Sequence, residues 1–167
     1  MQHDVVLNGV PGKLKRGHTM HALTIRIATL LLLLLFSTST LAENSTSFNG
    51  YTIHHNAIPT AMLTPEVASS YKIIRSKYRG LLNVSIIKDV PGTTGEPVTA
   101  RVSAYATNLI GRRHDILLRE IREGEAIYYI GDFPIVDREM LTFTLSVTPE
   151  GSEKATTTTL KQDFYID

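Results

Sequence analysis

The chain has 167 residues, 17 Lys and Arg against 16 Asp and Glu, and no cysteine. Without a thiol it has no thiol catalysis, no zinc–thiolate site and no disulfide, so it must hold together by packing and strand pairing. No Gly-x-Ser-x-Gly elbow and no phosphate-cradling glycine loop occurs either.

The first predicted element is a leader. Residues 27–42 carry no charge, and their apolar heart runs from Ile27 to Phe36. That run is the length of a signal-peptide core and falls short of the ~20 residues that span a bilayer. Basic residues precede it, with Arg26 nearest, and Ala42 supplies the small residue before a cut. Residues 20–42 are therefore expected to be a signal peptide starting at Met20, with residues 1–19 an upstream extension outside the true reading frame start. Cleavage after Ala42 sends the protein to the periplasm with no remaining membrane span. What is left, residues 43–167, carries thirteen basic and fifteen acidic side chains. A mildly acidic chain lacks the electrostatic footprint of a nucleic-acid binder.

Residues 43–49 are polar and predict a flexible start, with one domain over 50–167. Strand signals then recur between turns. Tyr51 to Ile58 is the first strand. Thr64-Pro65-Glu66 opens a short helix over 64–71, because Thr64 can cap, Pro65 suits the first turn and Glu66 faces the positive end. Leu81 to Lys88 is the next strand. Val98, Ala100, Val102, Ala104 and Ala106 alternate with polar residues, as do Leu141, Phe143, Leu145 and Val147. That period of two marks half-buried strands. Asn108 to Arg113 is a turn, His114 to Ile121 and Glu125 to Phe133 form a hairpin, and Ala155 to Ile166 closes the chain. About seven strands at this spacing predict an all-β, immunoglobulin-like antiparallel β-sandwich, with a small barrel as second choice.

Three stretches, Leu63 to Tyr71, Ala106 to Gly111 and Arg119 to Ile130, together resemble a family of small exported Gram-negative proteins, domain of unknown function 4426. The resemblance spans roughly Phe48 to Tyr165. It implies a periplasmic β-sandwich and carries no known activity, cofactor or site residue.

The candidate binding residues are Arg119, Glu120, Arg122, Glu123, Tyr128 and Tyr129, a charged and aromatic hairpin tip of the kind that serves recognition on a rigid sandwich. The simpler alternative is a solvated turn with weak ion pairs. His54 and His55 invite a metal reading, but neighbours on a strand point to opposite faces and cannot share an ion, and His114 lies far along the chain. No cofactor or metal is assigned. Lys72, Arg75, Lys77 and Arg79 form a basic stretch that alternation spreads over both faces. The function expected is an envelope binding or accessory module with a protein partner. A carbohydrate or cell-wall enzyme and a small-ligand carrier are the alternatives. The enzyme needs convergent acidic or histidine groups, and the carrier needs an apolar cleft.

Overall fold

Alternating apolar residues decide which side of each strand meets the core. A computed structural model describes residues 44–166, and the expected leader and upstream extension lie outside the described residues. The strands are β1 (Ser45–Phe48), β2 (Tyr51–Pro59), β3 (Arg79–Lys88), β4 (Glu96–Pro97), β5 (Ala100–Asn108), β6 (Arg113–Ile116), β7 (Arg119–Glu123), β8 (Ala126–Pro134), β9 (Glu139–Pro149) and β10 (Thr156–Phe164). Among the described residues one helix, α1 (Pro65–Ser70), follows a single 3-10 turn at Thr60–Met62.

The strands build two antiparallel sheets that face each other as a sandwich. One runs β1-β2-β3-β8-β7, with β4 beside the end of β3, and the other runs β10-β9-β5-β6. Neither closes into a barrel. Seven strands have five residues or more; β1 and β4 fall outside the expected strands, and β6 lies in the stretch expected to be one strand with β7.

From the first sheet Ile53, Leu82, Val84, Ile86 and Phe133 point inward, and from the second Phe143, Leu145, Val147 and Phe164 meet them. Each contributes about 1.5–3 kcal/mol on burial. Phe133, Phe143 and Phe164 pack edge to face, with centroids 4.9 to 6.4 Å apart. That geometry sets the positive edge of one ring on the negative face of the next. Phe133 also lies across Gly80, its partner on β3, where any Cβ would collide with the ring.

Two expectations are corrected. Residues 43–49 are not all a loose start: Ser45 to Phe48 pair with His54 to Tyr51. The polar side chains hid this edge strand, whose Thr46 hydroxyl bonds Thr158 on the other sheet at 2.6 Å. His114 to Ile121 is not one strand of a hairpin. Arg113–Ile116 pairs with β5 in one sheet and Arg119–Glu123 with β8 in the other, so the chain changes sheets at Leu117 and Leu118. Gly131 makes the crossing possible. A Cβ there would lie 2.7 Å from Ile116 Cγ2 and 2.7 Å from the Leu117 carbonyl oxygen.

The helix forms as its residues dictate. Thr64 caps it, its hydroxyl accepting the Val67 N–H at 3.3 Å, and Pro65 starts it. Bonds from its own backbone N–H and from Thr64 hold the Glu66 carboxyl below the usual carboxylate range. The connector carrying α1 is pinned by Thr60, which is fully buried. Its hydroxyl lies 3.0 Å from the Ile74 carbonyl and 3.1 Å from that of Ser76, and accepts the Ser76 N–H at 2.9 Å.

Candidate functional site

Paired residues of neighbouring strands point to the same side of a sheet. In the β7–β8 hairpin Glu120 pairs with Tyr129 and Arg122 with Ile127, while Arg119 pairs with Ile130 and Ile121 with Tyr128. Since Ile127 and Tyr129 belong to the core, Glu120 and Arg122 share the inner side with them. Arg119, Glu123 and Tyr128 take the outer side. The six candidate residues therefore form two groups on opposite faces.

The inner group is a tie between sheets. Tyr129 is buried, and its phenol accepts the Ala100 N–H from β5 at 2.7 Å and donates to Glu120 Oε2 at 3.0 Å. Glu120 Oε1 in turn accepts from Arg122 Nε at 2.7 Å. Burial, with the bond to Glu120, raises the Tyr129 pKa above its ordinary value, against the lowering from Ala100. These groups have their partners within the fold.

The outer group borders a groove. β3 is apolar on both sides: Leu82, Val84 and Ile86 face the core, yet outward-facing Leu81 is also buried, as is Ile130 beside it on β8. What covers them is the connector with α1. Sheet residues including Ile58, Leu81 and Ile130 form the floor, and Leu63, Val67 and Ile73 form the roof, around a cavity of about 290 Å³. Its surface is mostly apolar. Three polar features interrupt it. Asn83, in the middle strand, has its Oδ1 buried with no hydrogen-bond partner. Tyr71 and Glu123 both line it, and the Glu123 carboxylate raises the Tyr71 pKa. Tyr128 completes that end. Arg119 donates to the Tyr71 carbonyl and so links β7 to the end of α1.

Thus the structure brings Glu123 and Tyr128 to the groove, with Arg119 bracing its wall, and turns Glu120, Arg122 and Tyr129 away. Sequence reasoning missed the groove's other walls, including Asn83, Ile58, Leu81 and Val67. The available signal was the failure of alternation in Leu81-Leu82 and Tyr129-Ile130, since a strand apolar on both sides has both sides covered.

The histidines stay apart. His55 points inward, Nε2 3.3 Å from the Thr46 hydroxyl, while His54 points outward and His114 lies on β6 in the other sheet. Burial, with neighbouring His54, lowers the His55 pKa, against a raising backbone bond. Among the described residues no group of three or more His, Cys, Asp or Glu side chains comes together. The basic stretch is also dispersed: Arg75 donates to the Ala61 carbonyl at 3.1 Å, Arg79 pairs with Asp132, and Lys77 stacks over Tyr78 at 5.4 Å.

Solved structures share this architecture. FetP from uropathogenic E. coli strain F11, as isolated after expression in the periplasm of E. coli, has a TM-score of 0.54 at 12% identity over 74% of this chain and 94% of its own. A copper-bound variant of FetP has 0.53 at 13% identity over 75% and 92%. At that identity the likeness is one of fold. No curated protein matches the chain. A DUF4426 family protein from Pseudomonas aeruginosa PAO1 has a TM-score of 0.65 at 33% identity, over 77% of this chain and 98% of its own. The family model described as "Domain of unknown function (DUF4426)" matches residues 45–167. This chain belongs to the DUF4426 family.

Proposed function

We propose that the protein is an exported accessory module of the cell envelope that works by binding, with the groove beneath α1 as its site. The observation that carries this reading is a roofed apolar cavity on the outer face of a sheet that could otherwise be solvated on that side. The hairpin's outward residues Arg119, Glu123 and Tyr128 flank it, so a protein partner that uses or delivers the ligand has a charged, aromatic surface to meet. The leader pattern before Ala42 supports a periplasmic location, and the related fold of FetP, which was expressed in the periplasm, agrees with it.

Catalysis has less support. Glu123 is the one carboxylate in the groove lining, and Glu120 points to the opposite face, so no acid pair converges there.

A photo-crosslinking residue at Val67, in the protein expressed with its own leader, tests both parts. Osmotic shock is expected to release the protein, shortened at its N-terminus, and irradiation is expected to give discrete adducts. Retention in the cytoplasm contradicts the location. Adducts no different from those of a probe at Ser146 on the other sheet contradict the site.

A further inference from the structure

We infer that the groove takes a small organic cation, an alkyl or aryl ammonium whose apolar body lies beneath α1 and whose head meets the Glu123 carboxylate. The inference rests on reading the groove as the binding site, and it names the ligand's chemistry from the charge and hydrogen-bonding character of the walls.

Among the described residues Glu123 is the only charged side chain lining the cavity. Tyr71 lines the same cavity, and an ionised carboxylate is an acceptor with room for several donors. Tyr71 and Tyr128 add two aromatic rings at this end, and aromatic rings attract cations. Asn83 adds an amide to the lining, its Oδ1 buried and without a donor.

The cations nearby stand outside the lining: Arg119 donates to the Tyr71 carbonyl, Arg79 pairs with Asp132, and Lys72 and Arg79 line the adjoining cavity. An anionic head would meet the Glu123 charge with no opposite charge in the lining to offset it. The volume, about 290 Å³, sits at the small end of ligand sites, which suits a body of several carbons.

The test is calorimetric titration of the exported protein with hexylammonium, hexanol and hexanoate, which share a chain and differ in the head. Hexylammonium is expected to bind about tenfold or more tightly than hexanol, the worth of one charge-assisted hydrogen bond, and hexanoate more weakly than either. Glu123→Gln is expected to bring hexylammonium down to the level of hexanol and leave hexanol unchanged. Val67→Trp fills the groove from the roof and is expected to abolish all three while the melting temperature holds. If it melts early, Ile121→Trp fills the groove from the opposite wall. Equal binding of the three compounds, preference for hexanoate, no binding at all, or indifference of hexylammonium to Glu123→Gln overturns the cation assignment. Binding that survives a folded, groove-filling variant overturns the groove as the site.

Discussion

The phenolic oxygen of Tyr129, on β8 of one sheet, lies 2.7 Å from the backbone nitrogen of Ala100, on β5 of the other. Ala100 pairs with Pro149 on β9, but β6 reaches β5 only from Ala104 on, so this side chain stands in for a second strand neighbour, and Glu120 accepts the phenol's own proton. Replacing Tyr129 with Phe leaves the ring packed, orphans a partly buried N–H and takes one donor from a carboxylate that keeps Arg122. The expected cost is about 1–3 kcal/mol, read by urea unfolding. Arg122→Ala, which removes only an exposed ion pair, is expected to cost no more than about 1 kcal/mol.

The sheet crossing predicts an effect of similar size from one added methyl. In Gly131→Ala the new methyl meets the Ile116 side chain, which can shift, and the Leu117 carbonyl, which belongs to the crossing backbone. Destabilisation of about 1–3 kcal/mol is expected, measured by thermal or denaturant unfolding. Adding Ile116→Val is expected to recover only part of it, because the carbonyl contact remains.

Thr60→Val keeps the shape of a fully buried side chain and removes its hydroxyl. The Ser76 N–H loses its acceptor, and one of the Ile74 and Ser76 carbonyls loses a donor. A loss of about 1–3 kcal/mol is expected. Amide hydrogen exchange is expected to quicken across residues 73–76 before the sheets respond. Uniform quickening throughout would contradict a local anchor.

Stability is expected to fall on mild acidification because of His55. Its pKa is held down in the fold by burial and by His54, whereas in the unfolded chain it returns to about 6.5. Between those two values the unfolded chain binds a proton that the folded one refuses, so stability is complete above the unfolded value and is lost as pH falls through it toward the folded one. One such group gives a slope of at most about 1.4 kcal/mol per pH unit. Unfolding curves of the wild type and of His55→Gln between pH 7 and pH 5 measure it, the variant having the flatter profile.

Much of the fold was legible where one physical cause acted alone. Leu141 to Val147 alternate because one side of β9 meets the core and the other meets water. Thr64-Pro65-Glu66 announces α1 because capping is local chemistry. Legibility failed where two causes overlapped. Leu117 and Leu118 carry no turn residue, and the glycine that admits the crossing, Gly131, sits on a different strand. The hairpin charges marked the right region, but pairing sent alternate ones to opposite faces, leaving Glu123 and Tyr128 at the groove. The groove itself draws on β2, β3, β7, β8 and the α1 connector, a convergence that no single stretch of sequence announces.

The roof of the groove is one contiguous stretch of chain between β2 and β3, held at depth by Thr60 and at its far side by Arg119. The floor is sheet, whose inner face is occupied with the core. The two can therefore change at different rates over evolutionary time. A substitution in the floor disturbs strands on which the whole sandwich depends, whereas one at Leu63, Val67 or Ile73 reshapes the cavity alone. On the proposed reading of the groove, family members are free to diversify what they bind by rewriting that connector, and comparing it between organisms tests this.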